Sequence, residues 1–107
     1  MQEEIVIPCS LQQHMKLKAY LDELELASSI PDLYWLPVPT ELLNQIQLEH
    51  QDSCGPYAMA LDLSDDRVVL ETLVRAQNQL HCACIALAEP ELTRHMLDYL
   101  NLLLVKD

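Results

Sequence analysis

The spacing of apolar side chains changes period twice along this chain, and that change limits the fold more than any single residue does. Leu17, Leu21, Leu24 and Ala27 recur at intervals of three and four, as along one face of a helix. From Tyr57 the interval drops to two, and beyond Pro90 the helical interval returns. A chain that is helical at both ends and extended between them builds an α+β domain of two layers, with helices packed on one face of an antiparallel sheet. Segments 57–63, 67–75 and 80–87 are divided by Ser64-Asp65-Asp66 and Gln77-Asn78, which is turn chemistry, so they predict a three-stranded meander. Ser10 and Gln13 have the spacing of a capping box and open a helix over 11–28. Thr40 caps a short helix over 41–51. Pro90, with Glu89 and Glu91 near the positive end of the helix dipole, opens a helix over 90–105. The apolar segment 4–8 is available as an N-terminal edge strand, and 107 residues suit one domain, 1–107.

Two-residue hairpin loops would set the register. Leu63 then faces Val68, Leu61 faces Leu70, Met59 faces Thr72 and Tyr57 faces Val74. On the far side of the second strand, Leu70 faces Ile85 and Val68 faces Leu87. One sheet face is apolar throughout and seats the two long helices. The other collects Ala58, Ala60, Asp62, Val69, Glu71, Leu73, Arg75, Cys82 and Cys84, a mixed surface that something should cover in part. Between the first two helices, Pro31, Pro37 and Pro39 predict an extended apolar connector without regular pairing.

Composition removes several functional classes. With 17 acidic against 6 basic side chains the net charge is −11, which repels phosphate backbones and anionic headgroups, so neither nucleic acid nor a membrane is an expected partner. No apolar run reaches the ~18 residues of a membrane span. Gly55 is the only glycine, which rules out the Gly-rich phosphate loops of nucleotide-binding folds. The acidic start Met1-Gln2-Glu3-Glu4 is unlike a secretory signal, and four cysteines without such a signal read as free thiols, so the expected location is cytoplasmic.

Four residues have the chemistry of a metal shell: His50, Cys54, Cys82 and Cys84 offer one imidazole and three thiolates, the ligand types of tetrahedral zinc. On a strand Cys82 and Cys84 share a face while His81 points away, so His81 is left out. The plainer reading of these cysteines is as small buried hydrophobes, with no cofactor held. Cys54-Gly55-Pro56-Tyr57 has part of a thioredoxin-type turn, but Tyr57 stands where the second cysteine belongs and a strand follows instead of a helix. Glu91 and His95, four residues apart on a helix, read as a solvated pair.

With no catalytic motif visible, the expected function is a non-enzymatic protein-interaction module, adaptor or chaperone-like, that pairs with itself as a homodimer. The candidate contact residues are Tyr34 and Trp35 in the connector, Glu71, Leu73 and Arg75 on the mixed sheet face, and Leu102, which widens the apolar stripe of the last helix. The alternative is a zinc- or thiol-dependent protein built on His50, Cys54, Cys82 and Cys84.

Overall fold

The capping box at Ser10 forms as its spacing predicts. In the computed structural model, which describes residues 4–105, Gln13 N donates to Ser10 Oγ at 3.1 Å and Ser10 N donates to Gln13 Oε1 at 2.8 Å. Helix α1 (Leu11–Glu23) follows β1 (Glu4–Pro8), and it stops five residues short of the expected end. The stop is a Schellman motif: Leu26 N donates to Leu21 O and Glu25 N to Asp22 O, with Glu25 at φ 60 in the left-handed position that glycine usually fills. The chain released there runs back beside the next strand, where Trp35 N donates to Leu26 O and Ser28 N to Leu33 O.

That strand is β2 (Leu33–Pro37), which corrects the unpaired connector. Pro31 lies before the strand, Pro37 is its last paired residue and Pro39 lies beyond it, so Tyr34, Trp35 and Leu36 keep their amide donors. A single 3-10 turn (Thr40–Leu42), α2 (Gln45–Glu49) and α3 (Gln51–Cys54) replace the short helix expected over 41–51. The break has a local cause: Asn44 and Gln47 make a second capping box, which starts α2 at Gln45, five residues after Thr40. Strands β3 (Tyr57–Ser64) and β4 (Arg67–Ala76) match expectation closely, β5 is only Ala86–Leu87, and α4 (Pro90–Val105) has the expected bounds.

The sheet is antiparallel throughout with order β1-β4-β3-β2, so β2, β3 and β4 form the meander, and β5 adds to β4 on the same edge as β1. This corrects the third strand at 80–87. The places opposite Leu70 and Val68 that the register reserves for Ile85 and Leu87 are taken by Ile5 and Ile7 of β1, which leaves β5 only Leu73 and Val74 to pair with. Displaced from the edge, residues 77–85 form a loop. Leu63 faces Val68 and Leu61 faces Leu70 as predicted, but a bulge then shifts Met59 to Val74 and Tyr57 to Ala76. A shift of two residues preserves which face each side chain points to.

The core lies on the predicted face: Tyr34, Leu36, Met59, Leu61, Leu63, Val68, Leu70 and Val74 cluster with Leu17 and Leu21 of α1 and with Leu92, Met96, Leu100 and Leu104 of α4. Tyr34 is only 1% exposed, and its hydroxyl donates to Asp22 Oδ1 at 2.7 Å, so it is a core residue and its place among the contact candidates is corrected. On the opposite face Trp35, Val69, Leu73 and Arg75 are half-buried and Val6 is exposed. There Arg75 makes a bidentate pair with Glu71 at 2.7 and 3.0 Å. Leu102 is exposed on α4. No helix among the described residues is long and apolar enough to cross a membrane.

Candidate metal centre

At one end of the sheet, two segments far apart in sequence meet. His50 lies at the junction of α2 and α3, and Cys54 N donates to His50 O at 2.8 Å, so one helical turn stacks the two side chains. Facing them, Ile85 N donates to Cys82 O at 3.1 Å and closes a β-turn that carries Cys82 and Cys84. The two cysteines therefore share a side through a turn and not through strand alternation, which is a correction to the reason although not to the residues. His81 is exposed and outside the group, as its placement in the sequence implied.

One ligand atom from each of His50, Cys54, Cys82 and Cys84 lies within 4.8 Å of all the others. Cys54 Sγ and Cys82 Sγ are 3.7 Å apart, and His50 Nδ1 lies 3.1 Å from Cys82 Sγ and 3.9 Å from Cys54 Sγ. Zn–S bonds of about 2.3 Å and Zn–N bonds of about 2.0 Å at tetrahedral angles require S···S near 3.8 Å and N···S near 3.5 Å. The sulfur pair meets that spacing, and the two imidazole distances straddle theirs. A group of three sulfurs and one nitrogen is soft, which suits zinc over calcium or magnesium. Four protein donors are enough to fill a tetrahedral zinc shell without water or substrate, as in closed structural sites.

Neighbouring groups tune the thiols in opposite directions. The Cys84 backbone amide and then the Cys84, His50 and Cys54 side chains stabilise the Cys82 thiolate, which holds its pKa down at about 6. Burial pushes Cys84 up to about 11. Without a metal Cys82 therefore holds negative charge while Cys84 keeps its proton, whereas a divalent cation would favour the thiolate at both. Cys9, the fourth thiol, lies outside the cluster.

A polar frame that the sequence did not reveal holds the two halves together. Gln47, 3% exposed, donates from Nε2 to Cys84 O at 3.1 Å, while the Tyr57 hydroxyl donates to Gln47 O at 2.9 Å. Burial and the adjacent Cys84 raise the pKa of Tyr57. Asn78 closes the other side, its N donating to Cys54 O at 3.0 Å and its Nδ2 to Gly55 O. Such outer contacts fix ligand orientation in metal sites. Gly55 is needed for close approach: a Cβ there would stand 2.7 Å from Gln51 O. The Asn44-x-x-Gln47 spacing was the one signal that could have located α2, and nothing local could have paired Gln47 with Cys84.

The thioredoxin-like string ends differently from a redox centre. Cys54 is the last residue of the four-residue α3, at the carbonyl end of the helix, and Tyr57 begins a strand. Glu91 and His95 are both exposed on α4. No protein-family model, curated protein or solved structure matches this chain.

Proposed function

We propose that this protein is a small zinc-binding domain in which His50, Cys54, Cys82 and Cys84 hold one structural zinc ion. The observation that supports this most is the convergence of one imidazole and three thiols within 4.8 Å, brought from two segments that share no regular secondary structure. The ion would fasten the loop at 77–85 to α2 and α3, a region where Leu80, Ile46 and Leu48 are exposed and little apolar surface is available to do so. Metal analysis of protein purified without chelators is the test. One zinc per chain, with cobalt substitution producing thiolate-to-metal charge-transfer absorption, is the expected result. No bound metal, together with unchanged stability in Cys82→Ser and Cys84→Ser, rules it out.

What the fastened region serves is a second reading: a non-enzymatic interaction module that associates with itself. Supporting it are Leu80, 89% exposed on the loop, and the half-buried Trp35 beside it, with Leu73 also half-buried on the same sheet face as Trp35. Light scattering over a concentration series should give a mass rising toward twice 12.2 kDa. A constant monomer mass rejects self-association.

A further inference from the structure

The four ligands differ sharply in how far solutes can reach them. Cys84 is 0% exposed and Cys54 is 4% exposed, whereas Cys82 is only half-buried. Cys82 also stands 3.7 Å from Cys54, sulfur to sulfur, against about 2.05 Å in a disulfide, so a movement of under ~2 Å would bond them. They lie on separate segments, the β-turn and the end of α3, which can approach each other by a small shift of the loop. Cys84 is poorly placed to compete. It is separated from Cys82 by Ala83 inside a closed turn, and its carbonyl is held by Gln47.

Resting on the zinc reading, we infer that Cys82 and Cys54 are a modification site: a hydroperoxide oxidises them to a disulfide and the metal is expelled. The Cys82 thiolate attacks one peroxide oxygen. An S–O bond forms, the O–O bond breaks, and the departing oxygen takes a proton from water to leave as an alcohol or as water. The Cys54 thiolate then attacks the Cys82 sulfur, forming the S–S bond while the S–O bond breaks and the hydroxide leaves, protonated to water. Two electrons pass from the sulfurs to the peroxide, and two protons are consumed. Zinc, left with His50 and Cys84, loses half of its ligands and dissociates. The new covalent bond holds the loop against α3 in its place, so the oxidised chain keeps its fold while losing its metal.

The experiment uses the zinc-loaded full chain and hydrogen peroxide. A metal-sensing dye reads release, and after alkylation of the remaining thiols a tryptic digest is weighed. Cleavage after Lys18, Arg67, Arg75 and Arg94 places Cys54 in peptide 19–67 and Cys82 with Cys84 in peptide 76–94. Release of one zinc per chain, a cross-link between these two peptides with alkylated Cys84, and recovery with a dithiol and added zinc support the inference. Cys9→Ser should give the same release, because Cys9 lies outside the cluster. Zinc retained under excess peroxide, or released with Cys82 over-oxidised and no cross-link, overturns it and leaves the zinc site standing. A chain that takes up no zinc overturns the zinc reading itself and this inference with it.

Discussion

The two ends of this molecule are held by different physics. In the body, strands β2, β3 and β4 press one apolar face against α1 and α4, and more than a dozen side chains are 5% exposed or less. At the other end, α2, α3 and the loop at 77–85 contribute few large apolar side chains to the core and meet through Gln47, Tyr57, Asn78 and four metal-ligand groups. Apolar burial is roughly proportional to area and needs no particular partner, so the body is held chiefly by its packed face. Polar contacts are directional and gain little net energy over those with water, so the other end has less to hold it than the body has. One chain thus contains a part held by burial and a part held mainly by directed polar contacts, and on the zinc reading the second part gains most from the ion.

The largest effect expected from breaking this contrast is Leu61→Ala. Leu61 is 0% exposed at the centre of β3, and its truncation should lower stability by about 3–5 kcal/mol in urea unfolding, by the same amount with or without chelator. Strong dependence on chelator would show that the two ends are not independent. On the zinc reading, removing the ion comes next. At free zinc about a hundredfold above Kd, loss of binding removes roughly 2.7 kcal/mol. Hydrogen exchange should then rise at 45–54 and 77–85 while β3 and β4 stay protected.

Gln47→Ala should weaken zinc binding about 10–100-fold while Leu61 and its neighbours remain packed, because it removes the donor that holds the Cys84 carbonyl. Competition with a calibrated chelator measures it, and an unchanged affinity would leave Gln47 only its capping role at Asn44.

Affinity should also depend on pH with a definite sign. At pH 7.5 Cys82, held at about 6, is already a thiolate, whereas Cys84, pushed up to about 11, must lose its proton to bind. Zinc uptake therefore releases protons, and affinity should fall by about tenfold per pH unit for each proton displaced, more steeply below about 6 where Cys82 also holds one. Without metal, Cys82 contributes stability above its unfolded pKa, and that contribution is lost as pH falls through about 6. Calorimetry in buffers of different ionisation heat counts the protons.

The smallest effect is expected in the body. Glu25→Gly relieves a non-glycine residue at φ 60 and should raise stability by about 1 kcal/mol or less, since glycine also loosens the unfolded chain. A thermal melt would show it, with zinc affinity unchanged. A loss of stability would mean that the Glu25 side chain contributes more than its exposed position suggests.

Much of the body was legible because its signals are local. The Ser10–Gln13 cap, the Pro90 start, the alternation in β3 and the turn at Asp65-Asp66 are each read within a few residues, and each formed where expected. The failures were competitions between distant segments. Ile5 and Ile7 displaced Ile85 and Leu87 from the edge of β4, and Leu26 turned back to pair with Trp35 instead of extending α1. Both choices place apolar side chains correctly on a sheet, so periodicity could not separate them.

The sequence by itself offered His50, Cys54, Cys82 and Cys84 as donors of the right chemistry for a soft metal shell. It also determined the α+β class and the apolar sheet face, because both follow from period. Only the tertiary structure decided that the four donors meet, and it did so by taking residues 80–85 out of the sheet. A strand there would have held Cys82 and Cys84 flat against β4, and it was the loss of that edge to β1 that freed them to turn toward His50 and Cys54.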